Sequence, residues 1–153
     1  MRARPSALEF GKKLLAARER TEAQLRASFE RKGYPADEVE SALARLKALR
    51  FLDDRRAAEA HARAAFAAKQ SVAAVSRKLA SLGVATAEVQ AAVARVEEEV
   101  GHEDEAAARE LLVKRRLTGV KAARFLAGRG FDEELIQRLV PALVREGDEG
   151  TPP

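Results

Sequence analysis

The sequence has 153 residues, of which 46% are hydrophobic and 34% charged, and it carries a net charge of +4. This composition fits one compact domain or a short array of smaller units and excludes a disordered chain. The absence of cysteine excludes disulfides and thiolate sites. Because no signal peptide or run of roughly 20 apolar residues is present, we expect a soluble, cytoplasmic protein that makes no membrane contact.

Much of the hydrophobic fraction is alanine, while aromatic residues make up 5% and tryptophan is absent. Alanine favours helices, and its small side chain lets neighbouring helices approach closely. We therefore expect thin cores between closely packed helices. No segment alternates apolar and polar residues over the length of a strand, so the sequence predicts no strand.

Three helical runs follow one another in the first fifty residues. The first runs from about Ser6 to Glu19, and Thr21 with Gln24 three residues later forms a capping box that starts the second. Gly33 suits the left-handed conformation that ends a helix. One face of the third helix carries apolar residues at i, i+4 and i+7: Val39, Leu43 and Leu46.

The same order returns twice along the chain. A helix is predicted from about Asp53 to Lys69 and another from about Glu103 to Arg115, and each precedes a helix, a glycine and a further helix. Pro141 is expected to kink or shorten the last helix. The apolar faces of the two later closing helices are Val89, Val93 and Val96, and Ile136, Val140 and Leu143.

Aligning the glycines at these turns superposes the three segments without gaps, at offsets of 50 and 47 residues: Gly33, Gly83 and Gly130. A repeat of this length indicates an array of similar units. The sequence thus predicts an all-α protein with three tandem three-helix units, helix-turn-helix-like repeats that form an elongated array. The predicted units span residues 1–50, 51–100 and 101–146, and residues 147–153 are expected to form a disordered tail.

Motifs for catalysis and cofactor binding are missing. His61 and His102 belong to no metal-binding pattern, and no phosphate-binding loop, dinucleotide fingerprint or nucleophile elbow is present. Asp53 and Asp54 stand where a helix begins and favour its positive end. We therefore expect no enzyme, no cofactor and no metal, but a binding protein.

Basic clusters recur at helix surfaces and helix ends, and a mild basic balance permits contact with nucleic acid or with an acidic protein surface. Some of these residues serve only solubility. Arg31, Lys32 and Arg129 immediately precede the repeated glycines, which favours a functional role. The candidate binding residues are Arg18, Arg20, Arg31, Lys32, Arg55, Arg56, Arg63, Arg77, Lys78, Lys114, Arg115, Arg116, Lys121, Arg124 and Arg129.

Three stretches resemble the RecX family of bacterial regulators of the RecA recombinase. "RERTEAQL" matches the family's opening of the second helix, "LRFLDD" followed by Arg56, Ala58, Glu59 and Arg63 is similar to its strongest motif, and "RGFDEELI" matches its Arg-Gly-Phe signature. The resemblance extends from about Ala7 to Arg145. Ala57 and His61 depart from it, since both stand where aromatic residues are usual.

The resemblance implies a protein without enzymatic activity that binds the active RecA filament on single-stranded DNA. It would lie along the groove of the filament as a monomer and suppress ATP hydrolysis, strand exchange and filament growth, in the regulation of recombination, DNA repair and the SOS response. Its basic residues would contact RecA and the phosphates of single-stranded DNA, or of double-stranded DNA.

Two other interpretations stay open at this point. The units could belong to a stand-alone DNA-binding protein of the helix-turn-helix type, although the presumed reading helices are poor in Asn and Gln. The chain could also be a helical scaffold whose basic residues bind nothing in particular.

Overall fold

The computed structural model describes residues 3–140, which form nine α-helices and no strand. The all-α fold of three-helix repeats is thus confirmed. None of these helices is both long enough and apolar enough to cross a membrane. The helices are α1 Ala7–Ala17, α2 Glu22–Lys32, α3 Ala36–Ala48, α4 Asp54–Ala67, α5 Val72–Ser81, α6 Thr86–Val100, α7 Asp104–Arg115, α8 Gly119–Gly128 and α9 Glu133–Leu139.

Each group of three helices encloses its own hydrophobic core, and the predicted i, i+4, i+7 faces are buried in these cores as far as residue 140. Pro141, Leu143 and the tail of residues 147–153 lie outside the described residues, and the exact unit boundaries stay a prediction. The three cores are built around Leu25, Phe29 and Leu43, around Val75, Leu79 and Val96, and around Leu111, Leu126 and Phe131.

Local signals in the sequence set the helix ends. Both hydrogen bonds of the capping box between Thr21 and Gln24 are formed, as predicted. Gly33, Gly83 and Gly130 all have positive φ, at 79°, 84° and 83°. Residues with a side chain adopt this conformation at a cost, so glycine lets the chain turn tightly from one helix into the next.

The middle unit depends on alanine for its packing. Ala58, Ala62 and Ala65 on α4 and Ala92 on α6 are almost fully buried, so the two helices lie close together. The single aromatic ring in this cluster belongs to Phe66 on α4. The expectation of thin, closely packed cores holds for this unit.

A polar joint connects the first unit to the second. The Thr21 hydroxyl at the start of α2 donates to the carbonyl of Leu82 at 2.7 Å, and the Glu22 amide donates to the Asp54 carboxylate at 2.7 Å. Asp53 caps its own helix, as predicted, by accepting a hydrogen bond from the Arg56 amide. Asp54 does not act only on its own helix. Its carboxylate accepts the hydrogen bond from the Glu22 amide, at the positively charged start of α2 in the preceding unit.

The second unit is joined to the third in the same way. The Ser71 hydroxyl at the start of α5 donates to the carbonyl of Gly130 at 2.8 Å, and the Val72 amide donates to the Asp104 carboxylate at 2.9 Å. Ser71, Val72 and Asp104 lie 50 positions after their counterparts in the first joint, and the Ser71 hydroxyl also lies 3.3 Å from the carbonyl of Arg129, the counterpart of Leu82. The repeat therefore reproduces the contacts between units as well as the units themselves.

The turn glycines have a second role at these joints. A Cβ atom on Gly83 would lie 2.4 Å from the Cβ of Ala23, and one on Gly130 would lie 3.0 Å from the Cβ of Ala74. Neither joint leaves room for a side chain at its turn. Glycine is needed there both for its backbone conformation and for the close approach of the neighbouring helix.

Candidate binding surface

The candidate basic residues differ in whether their charges are already used within the protein. Arg55 and Arg63 lie on α4 beside Glu59, whose carboxylate also accepts a hydrogen bond from Arg95 at 2.8 Å. Arg63 also pairs with Glu99 on α6 at 3.0 Å. Arg63 and Arg95 therefore hold α4 against α6 within the second unit, whereas Arg55 pairs only within α4.

Arg56 links the second unit to the chain before it. Its Nε atom donates to Glu19 at 2.7 Å, and its two terminal nitrogens donate to the carbonyls of Arg50 and Phe51 at 3.1 and 2.9 Å. The side chain thus fixes the loop that leads into α4. Its guanidinium has few donors left for a partner.

A cationic groove lies between α1 and α2 of the first unit. Arg20 is half-buried in it, and its Nε atom is buried without a hydrogen-bond partner. Burial, and then the nearby charges of Arg18 and Arg31, lower the pKa of Arg20 below its usual value. The groove is lined by Phe10, Leu14, Arg20, Ser28, Arg31 and Lys32.

The rim of the cationic groove carries positive charge over an apolar floor. The Lys32 ammonium lies 5.5 Å from the centre of the Phe10 ring, and Arg31 donates to the Ser28 hydroxyl at 3.2 Å. Within residues 3–140, Arg18, Arg20, Arg31 and Lys32 form no ion pair. Their charges are therefore available to an anionic partner.

A second group of cations lies in the third unit. The guanidinium groups of Arg115 and Arg129 lie 5.0 and 5.1 Å from the centre of the Phe125 ring. Both arginines line a cleft together with Lys114 and the end of α4. Neither arginine has an acidic partner in the described part of the chain. Stacking on an aromatic ring holds an arginine in place while leaving its edge donors free.

The remaining candidates are spread over the second and third units. Arg77 lies beside the turn at Gly130, and Lys78 lies near His61. All five candidates are exposed, and none forms an ion pair among residues 3–140: Arg77, Lys78, Arg116, Lys121 and Arg124. Of these five, Lys78 shares its neighbour His61 with Arg18, a cation that also acts on Arg20 of the cationic groove.

His61 is half-buried, and its Nε2 atom has no hydrogen-bond partner. Burial is the main cause that lowers its pKa, followed by the charges of Lys78 and Arg18. Burial and the two cations thus favour the neutral form of the imidazole. Within residues 3–140, no three acidic or histidine side chains are grouped as the ligands of a metal ion would be.

The basic pattern alone missed two features of this surface. Phe10 and Phe125 support the cations, but nothing in their sequence context marks a ring for that role. Arg4 lies 3.9 Å from the centre of the Tyr34 ring and donates to the carbonyl of Lys32. Exposed arginines and lysines beside aromatic rings are suited to binding anionic groups on a protein or a nucleic acid.

Residues 7–46 match the family model of the first three-helix domain of RecX. A crystal structure of the regulatory protein RecX superposes with a TM-score of 0.69 and 19% identity, over 88% of this chain and 70% of that one. RecX from Lactobacillus salivarius superposes with a TM-score of 0.67 and 14% identity, over 91% of this chain and 95% of that one. No curated protein sequence matches the chain. The resemblance to the RecX family is confirmed, and the solved structures establish the shared fold.

Proposed function

We infer that the chain is a regulator of the RecA recombinase. Residues 7–46 match the family model of the first three-helix domain of RecX, and the fold matches that of solved RecX structures. We propose that it binds the RecA filament on single-stranded DNA along the filament groove, as a monomer and without catalysing a reaction itself. Its bound form would inhibit ATP hydrolysis, strand exchange and filament growth. Such an activity belongs to the control of recombination, DNA repair and the SOS response.

The observation that carries the proposal is the pair of repeated joints. Each unit has its own core, and the same two hydrogen bonds connect it to the next unit. A row of such units can contact several neighbouring RecA subunits at once. Contacts that are weak one at a time add up along one chain, because the first contact raises the effective concentration of the others.

Basic side chains without ion pairs lie in the first and third units of the array. They support the proposal that the binding partner is anionic. The cationic groove in the first unit combines positive charge with an apolar floor, which suits an acidic protein surface. Arg115 and Arg129 stack on Phe125 in the third unit and would meet phosphates of the DNA within the filament. The DNA contribution to affinity is then expected to fall as the salt concentration rises.

Titrating the purified protein into RecA, ATP and single-stranded DNA tests the proposal. We expect hydrolysis to fall at ratios well below one molecule per RecA subunit, because one bound array affects several subunits and blocks further growth. Unchanged hydrolysis across a wide range of concentrations would show that the chain does not regulate RecA in this way.

The competing function is that of a stand-alone DNA-binding protein, and the arginines stacked on Phe125 are the feature that favours it. Fluorescence anisotropy with a labelled oligothymidine and with a duplex separates the two. Filament regulation predicts that binding to RecA-coated DNA is much tighter than binding to either DNA alone. Equal affinity for naked and coated DNA would support the stand-alone function instead.

A further inference from the structure

The two joints divide each unit into a giving side and a receiving side. The giving side is the start of the second helix, with the hydroxyl of Thr21 or Ser71 and the amide that follows it. The receiving side of the next unit is its turn carbonyl and the carboxylate of Asp54 or Asp104. The receiving side of the first unit and the giving side of the third are therefore the two ends of the array.

The third unit carries the sequence counterpart of a giving side, at which Gly119 after the N-cap has a positive φ of 60°. Thr118 is the N-cap of α8 and corresponds to Thr21 and Ser71, which are fully buried in their joints. Thr118 is exposed instead, and its side chain makes no capping hydrogen bond. Val120, two residues further on, is 47% exposed.

The first unit retains the backbone of a receiving side. Gly33 has a φ of 79°, close to the 84° of its counterpart Gly83. Gly83 lies tightly against Ala23 of the neighbouring unit, whereas a Cβ atom on Gly33 would have no other atom within 4 Å. The turn is therefore shaped like the receiving turn of the second unit, but no helix lies on it among the described residues.

Arg4 corresponds in sequence to Asp54, which carries the receiving carboxylate, although Asp54 begins α4 and Arg4 lies three residues before α1 begins at Ala7. α1 and α4 end at Ala17 and Ala67, 50 residues apart, and the same offset places Arg4 on Asp54. The guanidinium of Arg4 donates to the carbonyl of Lys32. That carbonyl corresponds to the one of Leu82 that accepts the Thr21 hydroxyl in the first joint.

We propose that Arg4 prevents the giving side of a second copy of this chain from binding to the receiving side of the first unit. The start of a helix carries a partial positive charge, so a carboxylate attracts it and a guanidinium repels it. Arg4 also occupies the carbonyl that an incoming hydroxyl would need. A head-to-tail contact of this kind uses different surfaces on the two copies and would build open filaments or closed rings. The proposal does not depend on the proposed role in RecA regulation.

The variant Arg4→Asp tests the proposal, because it supplies the missing carboxylate and frees the Lys32 carbonyl at the same time. Sedimentation velocity should show self-association that grows with concentration up to about 1 mM, the range of effective concentration that a short linker gives the joints within the chain. The wild-type protein should remain monomeric over that range. Arg4→Ala frees the carbonyl without adding the carboxylate and should associate less than Arg4→Asp.

A second change shows where the association occurs. Asparagine tolerates the left-handed backbone of Gly33, and its side chain would fill the space that an incoming helix needs. Arg4→Asp combined with Gly33→Asn should therefore be monomeric again. Thermal melting followed by circular dichroism checks that each variant is folded, and Arg4→Glu replaces Arg4→Asp if the latter does not fold.

Two results would overturn the proposal. One is a folded carboxylate variant that stays monomeric up to the highest concentration. The other is self-association that persists with Gly33→Asn, because such contacts would not use the receiving side of the first unit.

Discussion

Glu59 shows how one side chain organises the charges of the second unit. It is mostly buried on α4 and contacts Arg55, Arg63 and Arg95. Burial works against its ionisation, but the hydrogen bonds from Arg95 and Arg55 hold the pKa of the carboxyl below its usual value. Because the carboxylate is preferred in the folded state, it stabilises the fold whenever it is ionised.

The variant Glu59→Gln should be less stable than the wild-type protein at neutral pH. A carboxyl with a lowered pKa contributes fully above its unfolded value, and the contribution is lost as the pH falls through the folded value. The difference in unfolding free energy between the two proteins should therefore shrink below about pH 4.5, the ordinary value for glutamate. Urea unfolding at a series of pH values measures it.

Glu30→Gln is the matched control, since Glu30 is exposed and forms no ion pair in the described residues. It should change stability little at any pH. A difference for Glu59→Gln that stays constant from neutral to acid pH would contradict the assigned role of the carboxylate.

The charge pairs also explain why Arg55, Arg56 and Arg63 are poor positions for a binding test. Replacing all three by glutamate would place new negative charges beside Glu59 and remove the link from Arg56 to Glu19. Lost inhibition would then report on the fold as much as on the surface. As contact residues they stay a prediction, but the unpaired cations allow a cleaner experiment.

At the scale of the elements, substitutions of the turn glycines distinguish the contribution of a joint to stability from that of the turn itself. Gly33 and Gly83 have nearly the same positive φ, so alanine at either position costs about 1 kcal/mol through its backbone conformation. Gly83→Ala carries the further cost of a contact with Ala23 inside the joint. We therefore expect Gly83→Ala to destabilise the protein clearly more than Gly33→Ala does.

Chemical denaturation of the two variants measures this difference. Hydrogen exchange adds a local check, because the Glu22 amide is bonded to Asp54 across the joint. That amide should lose protection in Gly83→Ala and keep it in Gly33→Ala. Equal stability and equal protection in the two variants would mean that the joint is looser than the structure has it.

The helices and their buried faces could be predicted because their signals are local. The Thr21 capping box and the turn glycines fix where helices start and stop, whatever lies around them. The partner of Asp54 could not be predicted, because the start of a helix attracts its acidic side chain under any arrangement of units. Only the packed structure shows that α2 of the preceding unit comes within hydrogen-bond distance.

The candidate surface was predicted in composition but not in arrangement. Helical periodicity places a basic residue on an exposed face, and it does not tell whether a glutamate from another helix will neutralise it. Arg63 forms an ion pair with Glu99 on α6, whereas Arg31 forms no ion pair among the described residues. These outcomes depend on how helices cross, which is decided by side chains far apart in the sequence.

For the whole molecule, the repeated joints connect three small cores in one row, which would act as one long binding element in the proposed function. A surface of this kind gains affinity from many contacts, so a single substitution should weaken binding without abolishing it. The cationic groove of the first unit is the place to test this, because its charges are not used in ion pairs within residues 3–140.

The measurement that tests the account most directly is the concentration of protein that halves ATP hydrolysis by RecA on single-stranded DNA. We compare the wild-type protein with Arg31→Glu, which changes a free cation at the groove. Arg45→Glu is the control, because it makes the same charge change at an exposed residue of the first unit outside the groove. We expect Arg31→Glu to require a several-fold higher concentration and Arg45→Glu to act like the wild-type protein. No inhibition by the wild-type protein, or equal inhibition by all three, would contradict the account.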